Sequence, residues 1–264
     1  MNARVPALSM AFMALTMVCC FAGPIVLLIR YKRKGADLAP FFVGCGVFVL
    51  FALVLEAALH NLILKGLPVG ERIQGNTLLF ALYGGLMAGL FEETGRFVAF
   101  RTVLKKRLGN DRNALMYGTG HGGVEAMLLV GFAYISNLLM AALLNLGMTD
   151  TVTAGLTGAA GEQVKAALDT LVTTSPWTYL LALAERAVAV TAHICFSVLV
   201  WFAAKKPGKL WLFPLAILLH AALDGFTMVL ASKLSLVAVE GCLAVMAALL
   251  VLLARTVWKR NAAA

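Results

Sequence analysis

Long apolar stretches are the feature of this sequence that most limits its possible folds. Each of seven stretches is long enough to cross a bilayer as a helix, for which about 20 apolar residues suffice. They cover approximately residues 6–29, 40–64, 76–104, 113–146, 177–203, 209–232 and 235–257. Because 61% of the residues are hydrophobic and 13% are charged, a soluble fold could not cover this apolar surface. The sequence therefore predicts an all-α, polytopic membrane helical bundle with about seven transmembrane helices.

The domain organisation follows from the short connections between these stretches. The first stretch shows no small-residue cleavage site, so we expect it to remain as a helix. Residues 1–264 are predicted to form a single integral membrane domain. The longest connection, 147–176, contains apolar residues at helical spacing, including Val164, Leu168 and Leu171. We expect this outer loop to contain an amphipathic helix that lies at the membrane interface.

The net charge of +9 indicates a membrane topology and gives no support for nucleic-acid binding. Most of the 22 Lys and Arg residues fall in clusters at every second helix end, around 30–34, 101–112, 205–209 and 255–260. The positive-inside rule places these clusters in the cytoplasm. The N-terminus is then outside and the C-terminus is cytoplasmic. We expect an integral protein of the bacterial cytoplasmic membrane, with the lipid bilayer as its first partner and no nucleic acid.

Ionisable residues on four of the predicted spans lie at a similar depth, between the midplane and the cytoplasmic leaflet. A single charge at mid-bilayer costs roughly 2.5–3.5 kcal/mol on insertion scales, so buried charges are expected to pair, coordinate a metal or contact water. The candidate site residues are Glu92, Glu93, Arg96, His121, Glu125, His193, His220 and Asp224. Their common depth predicts one polar core shared by several helices.

The spacing of these residues allows two kinds of hydrolytic chemistry. Arg96 could hold Glu92 ionised, which would leave Glu93 as a base that activates water together with a histidine. A second histidine, held by Asp224, could then donate to a developing oxyanion. Alternatively, Zn²⁺ could be bound by three histidines, with a glutamate as the general base. The candidate metal ligands are His121, His193 and His220.

Four segments of the sequence resemble a known family. "FEETGR", "YGTGHGGVEA", "AHICFS" and "LLHAALDGF" are similar to the YhfC-type intramembrane metalloproteases, which are related to the CAAX-processing and bacteriocin-processing membrane proteases. The larger group has E-E-x-x-x-R, F-x-x-x-H and H-x-x-x-N/D on successive helices. Here the first spacing is one residue shorter, and Tyr117 replaces the phenylalanine.

The resemblance implies an intramembrane peptidase that hydrolyses a peptide or membrane-protein substrate. Glu92 or Glu93 would activate water with His121, while His220 and Asp224 would stabilise the oxyanion or bind metal. The resemblance leaves open whether the site is zinc-assisted or needs no cofactor and is of the glutamate type.

Two other functions remain open on the sequence alone. The same buried cluster could serve a proton- or metal-ion-coupled transporter, or it could be an inert polar network in a structural membrane protein. Glu56 and His60 form a further pair with i,i+4 spacing in the second span. A structural pairing of Glu56 with Arg186 is expected, and a substrate-binding or proton-path role is the alternative. The four tryptophans fall near predicted span ends and are expected to be interfacial anchors. They are Trp177, Trp201, Trp211 and Trp258.

Overall fold

The computed structural model describes residues 4–148 and 153–262, and within these ranges the chain is helical and contains no strand. The helices are α1 (Ala7–Arg33), α2 (Ala39–Lys65), α3 (Val69–Gln74), α4 (Thr77–Arg101), α5 (Arg112–Asn145), α6 (Gly158–Thr173), α7 (Pro176–Lys205), α8 (Leu212–Ala231) and α9 (Leu236–Asn261). The prediction of an all-α membrane protein is confirmed. Residues 149–152 of the predicted outer loop lie outside the described residues. Helix α6 occupies much of the rest of that loop, and its interfacial location stays a prediction.

Six of the described helices are long and apolar enough to cross a membrane, namely α1, α2, α5, α7, α8 and α9. Helix α4, the third predicted span, is not among them although it has 25 residues, or about 37 Å at 1.5 Å per residue. Two glutamates and an arginine lower its mean hydropathy. The seventh span and the orientation of the termini therefore stay predictions.

The chain divides into two compact units, whose boundaries fall within helices α1, α5 and α7. The smaller unit contains Met1–Gly23 and Ala126–Arg186. Its helices are joined by buried polar contacts as well as apolar packing. The hydroxyl of Thr16 donates to the carbonyl oxygen of Tyr179 at 2.8 Å, and the side chain of Asn145 bonds both backbone groups of Val5.

The larger unit contains Pro24–Glu125 and Ala187–Ala264, and every candidate site residue lies in it. Its apolar core is rich in aromatic side chains. Phe100 makes edge contacts with Tyr117 and Trp201, and all three are fully buried. The expectation that Trp201 is an interfacial anchor is therefore wrong. Its indole N–H donates to Asp111 at 2.9 Å, so this ring satisfies its polar atom inside the protein.

Connections of the larger unit that carry basic residues meet at one end of it. Asn113 exchanges two hydrogen bonds with Asp37, at 2.8 and 3.0 Å, and Arg107 forms an ion pair with Asp37 at 3.2 Å. The hydrogen bond from Asn113, assisted by Arg107, lowers the pKa of Asp37 from its ordinary value. Lys205 is linked to the same region through Asp111 at 2.6 Å. These contacts bring the ends of α1, α4 and α7 together, as the alternating charge pattern requires.

Glycines allow the helices of the larger unit to approach closely around the candidate site. A Cβ at Gly89 would meet the backbone of Ile217, which brings α4 against α8. A Cβ at Gly118 would lie 2.5 Å from the Cα of Ile194, which brings α5 against α7. Gly44 of α2 is equally close to the backbone of α5 near His121. Small residues at such crossings are typical of membrane helix packing.

Substitution of Gly44 tests whether this close approach stabilises the fold. A methyl group there would meet the carbonyl oxygen of Tyr117 and lie 2.9 Å from the amide nitrogen of His121, whereas one at Gly46 would have no atom within 4 Å. We expect Gly44→Ala to lower the free energy of unfolding by about 1–3 kcal/mol. The matched Gly46→Ala variant is expected to raise it by up to about 1 kcal/mol through helix propensity. Unfolding in detergent micelles measures both, and equal effects would contradict the packing argument.

Candidate active site

Glu93 and Arg96 form a completely buried ion pair one helical turn apart on α4. Nη1 of Arg96 lies 2.7 Å from both carboxylate oxygens of Glu93, and neither side chain is exposed. Nδ1 of His220, from α8, lies 2.8 Å from Oε1 of the same carboxylate. Because a carboxylate accepts, His220 donates from Nδ1. Glu93 is therefore held by two partners on two helices.

Arg96 also contacts His193 on α7, and this contact fixes the tautomer of that histidine. Nη2 of Arg96 lies 3.1 Å from Nδ1 of His193. A guanidinium can only donate, so Nδ1 carries the lone pair and Nε2 carries the proton. Nε2 lies 2.5 Å from Oε2 of Glu125 on α5. His193 therefore has its protonated nitrogen beside a carboxylate and its lone pair directed to Arg96.

Glu92, on α4, contacts histidines from α5 and α7. Its Oε2 is 2.8 Å from Nε2 of His121 on α5 and 3.8 Å from Nδ1 of His193 on α7. Donor atoms of Glu92, His121 and His193 all lie within 4.8 Å of one another, and the three residues are buried. Nδ1 of His121 is buried and has no hydrogen-bond partner among the described residues. This set of one carboxylate and two imidazoles can hold a divalent metal ion.

His220 lies between two acidic residues. Its Nδ1 faces Glu93, and its Nε2 is 3.6 Å from Oδ2 of Asp224, one turn further along α8. The side chain of Asp224 is 41% exposed, whereas that of Glu92 is 9% exposed. Asp224 is thus the more accessible of these two carboxyl groups.

Aromatic rings contact the histidines, although no sequence pattern marks these rings as part of the site. Phe196 stacks on His220 with ring centroids 4.8 Å apart, and Phe48 meets His121 edge-on at 5.4 Å. Phe196 is three residues after His193, so its helical spacing was visible in the sequence. Phenylalanine is too frequent in membrane helices for that spacing to mark a site.

The structure brings together the residues that the sequence grouped by depth, and it changes their pairing. The rings of His121 and His193 are 4.8 Å apart, and those of His193 and His220 are 5.4 Å apart. The expectation that Arg96 holds Glu92 is wrong, because Arg96 contacts Glu93 through both oxygens. The group of residues that could hold a metal ion also differs from the expected three histidines: Glu92 joins His121 and His193, while His220 contacts Glu93.

The helices and the buried cluster define a polytopic membrane protein with a glutamate–histidine site inside the helical bundle of its larger unit. Residues 19–250 match the model of the YhfC intramembrane metalloprotease family, and the chain belongs to that family. It is 34% identical over 214 residues to "Uncharacterized membrane protein YhfC" of Bacillus subtilis (strain 168), a match that covers 81% of each chain. No solved structure matches the chain.

The Arg96–Glu93 pair is expected to dominate the stability of the larger unit. Arg96→Met leaves a buried carboxylate without its cation, for which losses of about 3–5 kcal/mol are typical. The double variant Arg96→Met/Glu93→Gln removes that charge and should regain part of the loss. Denaturant unfolding in micelles measures the coupling. The control is Arg101→Met, an exposed arginine in the last turn of α4, which should change stability by less than about 0.5 kcal/mol. Additive effects of the two site substitutions would contradict the pairing.

Proposed function

We propose that this protein is an intramembrane metallopeptidase that hydrolyses a peptide bond of a membrane-embedded substrate. The observation that carries the proposal is the buried group of Glu92, His121 and His193 in a chain that belongs to a family of intramembrane metalloproteases. Two histidines and a glutamate are among the common three-residue ligand sets of catalytic zinc. We therefore propose Zn²⁺ as the ion.

The residues around this group fit a metal centre. A metal-ligating histidine typically directs its other N–H to a carboxylate, and Nε2 of His193 lies 2.5 Å from Glu125. Its lone pair on Nδ1 faces Nη2 of Arg96, which would have to release this one contact while Nη1 remains on Glu93. Nε2 of His121 donates to Glu92, so the buried Nδ1, which has no partner among the described residues, carries a lone pair that could bind a metal ion.

A bound divalent cation supplies Lewis acidity, which polarises a peptide carbonyl and eases deprotonation of water. The chain's own residues supply the proton transfers. Glu93 is unsuited as a base because Arg96 and His220 hold its oxygens. Asp224 is the more accessible carboxylate, and we assign to it the acceptance of a proton from the attacking water and the return of that proton to the amine of the leaving fragment. Nδ1 of His220 already donates to Glu93, so we assign to the doubly protonated imidazolium form of His220 the hydrogen bond from Nε2 that stabilises the developing oxyanion.

Cleavage of a tagged library of transmembrane peptides in nanodiscs, read by mass spectrometry, tests the proposal together with metal analysis. Glu92→Gln, His121→Asn and His193→Asn should lose both bound metal and cleavage. Asp224→Asn should keep its metal and lose about 10²–10⁴-fold in rate, the usual contribution of a general base. Glu71→Gln, on exposed helix α3, is the control and should behave as the wild type.

Two outcomes would contradict this function. Metal-loaded wild-type protein that cleaves no peptide, and instead moves metal or protons across vesicles, would indicate a transporter that uses the same cluster. Full cleavage after a chelator has removed all metal would indicate glutamate-type chemistry instead.

Glu125 is expected to set the metal affinity through His193. Glu125→Gln keeps the size of the side chain and weakens its pull on the Nε2 proton. Loss of such an outer partner typically costs 10–100-fold in metal affinity. Competition with a chelator of known affinity measures the change without any substrate. An unchanged affinity would show that His193 is not a ligand through Nδ1.

A further inference from the structure

A second polar cluster lies outside the candidate active site, on α2 and α4. Nδ1 of His60 is 2.8 Å from the hydroxyl of Tyr83, and Nε2 of His60 is 3.1 Å from Oε1 of Glu56. The rings of His60 and Tyr83 meet edge-on with centroids 5.2 Å apart. We call Glu56, His60 and Tyr83 the α2–α4 cluster. None of its members takes part in the proton transfers or metal ligation proposed above.

The α2–α4 cluster occupies an unusual stretch of helix. Residues Val49–Glu56 and Asn61–Lys65 of α2 are π-helical, and Glu56 and His60 lie at the junctions of these segments with Ala57–His60. π-Helical turns are rare in proteins overall, and those that occur are often found at functional sites. A π-helical turn contains more residues than an α-helical turn, so it changes which residues lie on the same face of the helix. Glu56 and His60 are joined by the α-helical segment Ala57–His60, and their side chains are in contact.

Burial and exposure in the α2–α4 cluster suit a binding site more than a closed structural clamp. Glu56 is 7% exposed, whereas the side chain of His60 is 31% exposed. The hydrogen bonds of the described residues engage Oε1 of Glu56 and leave Oε2 available. A polar group that is partly open inside an apolar helix needs a polar partner or water. The cluster is therefore partly exposed at His60, and Oε2 of Glu56 is available to a further partner.

The electrostatic surroundings favour a cation as that partner. Burial is the main factor that disfavours a negative charge on Glu56; the carboxylates of Glu92 and Asp224 add to this effect, and His220 opposes it. Acidic groups of like charge repel strongly where the dielectric constant is low, and an added cation relieves this repulsion. The faces of His60 and Tyr83 add aromatic surface, and an aromatic ring attracts an ammonium or guanidinium group within about 6 Å.

We propose that the α2–α4 cluster is a subsite that binds a basic side chain, lysine or arginine, of the membrane-embedded peptide substrate. This inference rests on the proposed peptidase function and specifies its substrate class. The cationic head group would contact Oε2 of Glu56, while its methylene stem packs in the apolar surroundings of α2, as basic side chains do in membranes.

The position of the subsite predicts where the basic residue lies in the substrate. Tyr83 precedes Glu92 by nine residues of α4, which is about 13 Å along the helix axis. An extended peptide covers this distance in about four residues at 3.3 Å each. The basic residue should therefore lie about four positions from the cleaved bond. It should be displaced from that bond toward the first residues of α4, which follow the connection from α2.

Peptide binding to the full-length His121→Asn variant in nanodiscs tests the subsite independently of catalysis. The probes are fluorescent Leu/Ala-rich transmembrane peptides of about 20 residues. One series has a single lysine moved along its centre, and its twin has norleucine, which keeps the stem and lacks the charge. We expect the best lysine peptide to bind about tenfold more tightly than its twin, a difference of about 1.4 kcal/mol. Adding Glu56→Gln should abolish the difference.

The controls separate binding from structure. Glu71→Gln in the same background should keep the lysine preference. Tyr83→Phe retains the ring and should keep most of the lysine preference.

Absence of any lysine-dependent binding to the His121→Asn protein, or a lysine preference that survives Glu56→Gln, would overturn the subsite. A Glu56→Gln variant that melts at a lower temperature and keeps the preference would show a structural clamp. Because binding needs no turnover, failure of the peptidase proposal would appear separately, as missing cleavage by the wild type.

Discussion

The buried contact between Arg96 and Glu93 is the interaction on which the candidate site depends. The guanidinium stays protonated at any relevant pH, so its charge must be matched inside the bundle. Its Nη1 holds Glu93 on its own helix and its Nη2 contacts His193 on α7, while Glu93 in turn holds His220 on α8. One cation therefore orders side chains from three helices. It also leaves Glu92 free of arginine, because one guanidinium that faces Glu93 cannot also face the adjacent residue on the helix.

This arrangement requires helix backbones that are closer than larger side chains would permit. Glu93 reaches His220 because Gly85 and Gly89 place α4 directly against the backbone of α8. Gly118 and Gly122 do the same between α5 and α7, beside His193. The short side chains lose apolar contact area, and the polar hydrogen bonds formed across these crossings compensate for that loss. The glycines of α4 and α5 thus allow the ionisable residues of the same helices to reach their partners on α7 and α8.

Helical periodicity predicted the composition of the site better than its pairings. A common depth and i,i+4 spacing grouped Glu92, His121 and His220 correctly, because both follow from the rise and twist of a helix. Arg96 stands three residues from Glu93 and four from Glu92, and either spacing permits a contact. The choice depends on His193 and His220, which are about 100 and 120 residues away in sequence. Trp201 shows the same limit: its position near a helix end predicted lipid contact, whereas Asp111 from a distant connection draws it into the core.

Charge balance connects the proposed metal centre with the α2–α4 cluster. Arg96 compensates Glu93, but among the described residues the ion pairs of Glu92 and Glu56 are with histidines, which are cationic only when protonated. A carboxylate inside a membrane is stable if it binds a proton or if a cation arrives. The proposed divalent ion at Glu92 and the proposed basic substrate side chain at Glu56 would satisfy this requirement in two separate places. The acidic groups of the protein would then select its ligands, because they would attract both the proposed metal ion and the proposed basic side chain.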